Sequence, residues 1–223
     1  MSLFARIVAG DPSRKSRFHD ELGKRVPLGR ITRNLPRALL SGAGRIAFGM
    51  LPRKPWISYD VQRILAGFLA ETPRAVLEFG SGQSTRWYAE RAELLVSVED
   101  DPAWFAQVER QLGAMSNVLY RLATDSHSYT MPAEAQSFDL IMIDGAWREE
   151  CARTALDCLA PDGLIYLDNS DKGASARTGD IPAARALLIE HAERRGWSWE
   201  EFTDFAPAQF FAQRGLLIRS NQV

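Results

Sequence analysis

Apolar positions recur at helical spacing through Val61, Ile64, Leu65, Phe68 and Leu69, behind Ser58 as a cap and ahead of Pro73, and predict a helix. Ala75-Val76-Leu77-Glu78-Phe79 is then a short apolar run that stops at Gly80, the pattern of a buried strand. A helix over Ser84–Arg91, a strand over Leu94–Glu99 and a helix opened by Asp101-Pro102 follow, with a third strand over Asn117–Leu122. Phe138–Ile143 (FDLIMI) is the clearest buried strand. It leads into a helix over Glu149–Leu159, the turn Pro161-Asp162-Gly163 and a strand over Leu164–Leu167. A helix over Pro182–Arg195 ends at Gly196, and two strands, Trp197–Thr203 and Gln209–Arg219, close the chain. Strand and helix alternate until a terminal hairpin. That order predicts an α/β fold, a Rossmann-like and mostly parallel sheet with helices on both faces and an antiparallel strand at its C-terminal end.

Residues 1–55 are different. They are rich in Gly, Pro and Arg, with a weak helix expected over Leu35–Leu51, interrupted at Gly42 and Gly44. The expected division is a basic, partly helical extension over 1–55 and a ligand-binding domain over 56–223. The charge follows this division: residues 1–60 carry 12 Lys/Arg against 4 Asp/Glu, and the remainder 15 against 24. Such a basic arm can fold against the acidic body, touch an anionic ligand or lie on an anionic membrane surface. A chain of 223 residues with 46% hydrophobic and 25% charged positions excludes a disordered class. Cys151 and Cys158 exclude a disulfide scaffold or Cys-rich zinc site and fit the cytoplasm. No run approaches the ~20 apolar residues of a membrane span, and Met1–Gly10 lacks the pattern of a signal peptide.

In an open α/β sheet, ligands bind beyond the carboxyl ends of the strands. Each predicted parallel strand ends on a carboxylate: Glu78 before Gly80-Ser81-Gly82, Glu99-Asp100, Asp125 with Ser126, Asp144 before Gly145, and Asp168-Asn169. Asp101 and Asp162 are better read as a helix cap and a turn residue. The Gly-rich turn permits close backbone approach to a ligand. A dinucleotide site expects a third glycine where Thr85 stands, and a carboxylate at Glu78 would repel a pyrophosphate. The acidic rim suits S-adenosylmethionine instead, which has a sulfonium, an amino group and a ribose and no phosphate.

The segments Val76–Thr85 (VLEFGSGQST), Phe138–Gly145 (FDLIMIDG) and Asp162–Asn169 (DGLIYLDN) resemble motifs of class I S-adenosylmethionine-dependent methyltransferases, over about residues 58–220. The form Glu-Phe-Gly-Ser-Gly-Gln-Ser-Thr is similar to a bacterial group of small-molecule type. The resemblance implies that Glu78, with the turn Gly80, Ser81, Gly82, Ser84 and Thr85, holds the methionine moiety. It implies Glu99 for the ribose hydroxyls, Asp100 beside the adenine, Asp125 and Ser126 at the adenine amino group, and Asp144 facing the methionyl end and the substrate. The implied activity is methyl transfer to a small molecule, at oxygen.

Asp144, Asp168 and Asn169 also resemble the triplet by which catechol-type enzymes of this family hold a divalent cation. That makes them the metal candidates, although Arg148 stands near where the family's lysine base is expected, and arginine cannot act as a base near neutral pH. His127 is the candidate general base by its ordinary pKa, with Lys172 second. Trp56, Tyr129 and Trp147 are candidates to wall a pocket, while packing is the plainer reading. His19 and His191 read as exposed polar positions. Nucleic acid is disfavoured as partner, since Asp144-Gly145-Ala146-Trp147 replaces the Pro-Pro tetrapeptide of resembling DNA amino-methylating enzymes. A macromolecular substrate reached through the arm, and a non-catalytic cofactor-binding protein, are the alternatives; oligomeric state is left open.

Overall fold

A computed structural model describes residues 14–131, 137–173 and 179–221. Helix α1 spans Leu28–Phe48 and α2 Tyr59–Glu71; strand β1 spans Ala75–Phe79, α3 Thr85–Ala89, β2 Leu94–Glu99 and α4 Pro102–Leu112. They are followed by β3 (Val118–Leu122), α5 (Ser126–Thr130), β4 (Phe138–Ile143), α6 (Arg148–Cys158), β5 (Leu159–Leu167), α7 (Ile181–Arg195), β6 (Ser198–Asp204) and β7 (Gln213–Arg219). The seven strands form one sheet in the order β3-β2-β1-β4-β5-β7-β6. β1 to β5 pair in parallel, and β7 runs antiparallel to both β5 and β6.

Alternation along the strands divides the core. Val76, Leu95, Leu140, Leu164 and Tyr166 pack one face against α2 and α3, while Leu77, Val96, Ile141 and Ile165 pack the other against α6 and α7. Both faces are covered over the central strands, which is why these read as continuous apolar runs. Strand order reverses between β1 and β4. A crevice therefore opens at their carboxyl ends.

Several local expectations change. α5 is a single turn that periodicity does not reveal. β5 begins at Leu159, with a register shift against β4 between Phe138 and Leu140. β7 begins at Gln213, later than the strand expected from Gln209. The largest correction concerns α1, which is continuous where a broken helix from Leu35 was expected. Gly42 does not interrupt it because the glycine is needed for packing: a Cβ there would lie 2.3 Å from the Phe210 ring. α1 ends only at Gly49, whose φ of 64° closes the helix in the left-handed region.

The described part of the basic arm is bonded to the body. Asp20, wholly buried, accepts from Arg214 Nε at 2.8 Å, Thr203 Oγ1 at 2.7 Å and the Lys24 amide at 2.9 Å. Asn34 on α1 donates to Asp204 at 2.7 Å, and Arg30 pairs with Asp60 at 2.8 Å. The Glu21 amide donates to Asp171 just past β5. The arm's first thirteen residues lie outside the described residues.

Candidate functional site

The pairing register aligns Ser97, Glu78, Met142 and Tyr166 in one row across β2, β1, β4 and β5. Side chains alternate with period two, so the next row on the same face is Glu99, Gly80, Asp144 and Asp168. The ladder carries this row past the strands, with Gly80 N–H donating to Val98 O, Asp144 N–H to Phe79 O and Asp168 N–H to Ile143 O. Three carboxylates thus flank one position with no side chain, and Glu78 lies a row below. The missing side chain at Gly80 is obligatory: its φ is +94°, and a Cβ would lie 2.5 Å from the amide nitrogen of Gly145.

Glu78 is 1% exposed and accepts from Ser84 Oγ at 2.9 Å and Ser97 Oγ at 2.7 Å. Burial pushes its carboxyl up to about 7; hydroxyl donors at Thr85, Ser97 and Ser84 oppose this, and the charge of Asp144 adds to it. Glu99 is buried too. Its Oε2 accepts from the amide and hydroxyl of Ser81, at 3.0 and 2.6 Å, and its Oε1 from the amides of Asp100 and Asp101, both at 3.0 Å. Trp104 Nε1 donates to the Ser81 carbonyl at 2.8 Å, and Tyr120, stacked on Phe105, reaches the Ser81 hydroxyl at 2.7 Å. Thr85 Oγ1 accepts from the Gly82 amide at 2.8 Å. The Gly-rich turn is held from both ends before any ligand arrives.

Asp144 and Asp168 are unlike neighbours. Asp144 is half-exposed and accepts from Arg148 Nη2 at 3.1 Å. Asp168 is 3% exposed and accepts from the Tyr166 hydroxyl at 3.1 Å and from the Asn169 side-chain amide. Burial first, and then the adjacent charge of Asp144, raise Asp168 well above the usual carboxylate range. Burial raises Asp144 as well, opposed by the Arg148 guanidinium, so Asp144 is the more readily ionised of the pair.

Arg148 is the residue whose role the sequence left unread. Its buried guanidinium donates to the carbonyls of Gly145, Asp168 and Asp144 at 2.9, 2.7 and 2.9 Å, besides the Asp144 carboxylate. It fastens the ends of β4 and β5 together and places a fixed cation beside the candidate metal ligands. Asp144 is paired to it, both oxygens of Asp168 are taken by donors, and Asn169 presents its N–H to Asp168. Such a donor set does not fit a hard divalent cation, which needs free oxygen ligands.

Tyr88 on α3 was also missed. It is 1% exposed, its hydroxyl has no hydrogen-bond partner among the described residues, and Glu78, Asp144 and Asp168 are its electrostatic neighbours. Burial first, and then those charges, raise it well above its ordinary value, so the hydroxyl stays protonated beneath the acidic row.

Other candidates lie outside the row. Asp125 is exposed and caps α5, accepting from the Ser128 amide at 2.9 Å and from its hydroxyl; these bonds lower its pKa. Ser126 follows it, half-buried, and His127 is exposed on α5 beside Asp125. Lys172 is bound to Glu21 at 2.6 Å, which occupies this second base candidate in an ion pair. Tyr129 is fully buried between Phe79 and Trp147, and Trp56 lies under the Arg45 guanidinium; both are packing.

No family model and no curated protein matches the chain. Solved structures do. An O-methyltransferase from Bacillus cereus in complex with S-adenosylhomocysteine aligns at 18% identity and a TM-score of 0.59, over 86% of this chain and 95% of that one. The O-methyltransferase TomG from Streptomyces achromogenes, in complex with S-adenosylmethionine, aligns at 16% and 0.59, over 83% and 90%. A Klebsiella pneumoniae protein assigned as an O-methyltransferase aligns at 24% and 0.59, over 86% and 94%. The chain has the Rossmann-like fold of class I methyltransferases, and at these identities the likeness is one of fold. No described helix is long and apolar enough to cross a membrane.

Proposed function

We propose that the chain binds S-adenosylmethionine over Gly80 and methylates a small molecule at oxygen. The observation that carries this reading is the row Glu99–Gly80–Asp144–Asp168 with Glu78 beneath it, a negatively lined gap that favours a cationic head group and repels a pyrophosphate. In this reading Glu78 accepts from the methionine amino group, beside the turn formed by Gly80, Ser81, Gly82, Ser84 and Thr85. Glu99 serves the ribose hydroxyls, which must displace the Ser81 hydroxyl because all four of its acceptor positions are filled. Asp100, Asp125 and Ser126 border the adenine end, where Asp125 releases Ser128 to reach an amino group.

The bound cofactor supplies a methyl group already activated by its sulfonium leaving group. The protein then has to orient the acceptor, exclude water and receive a proton. Asp144 is the group suited to receive it, since it is half-exposed and held in place by Arg148. His127 is the alternative base, and it can act only if the acceptor extends to the exposed side of α5. The free thiols Cys151 and Cys158 fit a reducing compartment, the cytoplasm.

Calorimetry with S-adenosylhomocysteine and with NAD tests the cofactor, and transfer of labelled methyl groups to pools of phenols, sugars and small acids tests the acceptor. Binding of S-adenosylhomocysteine with no NAD binding is expected. Preference for NAD would refute the reading.

A further inference from the structure

The inner face of α1 is committed to the body through Asn34, Ala38 and Gly42, which are buried. Its outer face and the turn after it are unusually apolar. Leu39, Leu40 and Ile46 are 47%, 76% and 45% exposed, and Phe48, Met50 and Leu51 are 79%, 63% and 46% exposed. A helix with apolar residues on both its faces needs cover on the second one.

The charge says what kind of cover. Between residues 22 and 59 the chain carries Lys24, Arg25, Arg30, Arg33, Arg37, Arg45, Arg53 and Lys54 and no Asp or Glu. Arg33 and Arg37, one turn apart, border the apolar face. Beyond Gly49 that face runs into a groove of about 690 Å³, lined by Leu51, Arg53, Gln83, Arg86 and Arg110 among others. Twofold pairing of this face with its own copy would bring Arg33, Arg37, Arg53 and Lys54 together with the same four cations of the second copy, a repulsive contact. An anionic lipid surface satisfies both features, since headgroups neutralise the arginines while the large apolar side chains enter the acyl boundary.

We propose that the outer face of α1, with the turn over residues 49–54 and the adjoining arginine groove, docks the protein on an anionic membrane surface. Gln83 lies in the Gly-rich turn, so the docked face adjoins the crevice. The surface would deliver a lipophilic acceptor, or one presented on a lipid, to the site. The docking itself does not depend on the methyltransferase reading.

Co-sedimentation of the full-length protein with vesicles tests this. Vesicles of phosphatidylcholine containing phosphatidylglycerol should bind the wild type, and phosphatidylcholine alone should not. The double variant Leu40→Glu/Phe48→Glu, at two of the most exposed positions, should abolish binding while circular dichroism stays unchanged. Arg53→Gln/Lys54→Gln should weaken it by roughly thirtyfold, two surface charges' worth. Absence of binding to the anionic vesicles, or equal binding by Leu40→Glu/Phe48→Glu, would overturn the proposal. So would a wild-type dimer in sedimentation velocity that this variant dissociates without any vesicle binding, which assigns the face to a second copy. S-adenosylhomocysteine calorimetry on the same variants separates this outcome from failure of the cofactor reading, because docking variants should bind it normally.

Discussion

Replacing Glu78 with Gln separates a binding role from a structural one, because the two predict opposite signs. In the folded, ligand-free protein the Glu78 carboxyl titrates near 7, against 4.5 for an unperturbed glutamate. The principal cause is burial, which disfavours the charged form. A folded pKa raised above the unfolded one means that stability is fully present below 4.5 and lost as pH rises through 7. At about 1.4 kcal/mol for each pH unit, the loss approaches roughly 3 kcal/mol above that window. Gln keeps the shape, and the hydroxyls of Ser84 and Ser97 can bond to it, yet it carries no charge to desolvate.

Glu78→Gln should therefore raise the melting temperature above pH 7, by up to roughly 10 °C, and leave it nearly unchanged at pH 4.5. Ligand binding should move the other way. Losing a charge-assisted hydrogen bond to the amino group of S-adenosylhomocysteine costs about 1.5–3 kcal/mol, or roughly 10- to 150-fold in affinity. An ammonium beside Glu78 also lowers its pKa, so binding to the wild type near pH 7 should expel about half a proton. Calorimetry in buffers of different ionisation enthalpy reads that proton directly, and the variant should release none from this position. A variant that melts lower at pH 8 and binds S-adenosylhomocysteine as well as the wild type would refute the assignment, leaving Glu78 a structural carboxylate.

Glu99→Ala should weaken S-adenosylhomocysteine binding by about 1–3 kcal/mol through lost charged hydrogen bonds; unchanged affinity in calorimetry would remove Glu99 from the ribose position. Arg148→Ala should destabilise the protein near neutral pH by about 3–5 kcal/mol, because Asp144 loses its partner and three carbonyls lose their donor. In thermal melts, magnesium or manganese should stabilise that variant and leave the wild type unaffected. A wild-type response to chelator would contradict the account of the donor set. Gly80→Ala forces a side chain into left-handed backbone against Gly145 and should cost at least about 1–3 kcal/mol by denaturant titration; a neutral result would show that the turn can relax.

The order of elements could be read because both faces of this sheet are covered. Buried parallel strands such as Phe138–Ile143 are uniformly apolar and end abruptly at polar residues, which marks their carboxyl ends in the chain. The same uniformity conceals which face each residue occupies, since alternation needs a polar side to be visible. α1 was misread for a related reason. Gly42 signals a break in an isolated helix, and only the Phe210 ring, 168 residues further on, shows that it is a packing contact.

The candidate site divides along the same line. Glu78, Glu99, Asp144 and Asp168 could be found by position alone, at strand ends, yet what joins them is pairing register. Ser97 opposite Glu78 and Tyr166 opposite Met142 place Glu99, Asp144 and Asp168 on one face around Gly80. Asp100 follows Glu99 by one residue and is out of phase with that row, and Asp125 lies three beyond the end of β3, far enough to cap the next helix instead. Position at a strand end alone therefore does not say which carboxylates share the Gly80 face; phase with Glu78 does. Arg148 carried no such mark, for it reaches the crevice from a helix. A sequence shows which side chains a helix holds, and the sheet beneath decides where they point. The charge balance of the crevice depends on that difference. Carboxylates from four strand ends would repel one another, and the fold relieves them with one buried arginine at Asp144 and with hydroxyl and amide donors at Glu78, Glu99 and Asp168, around an open glycine.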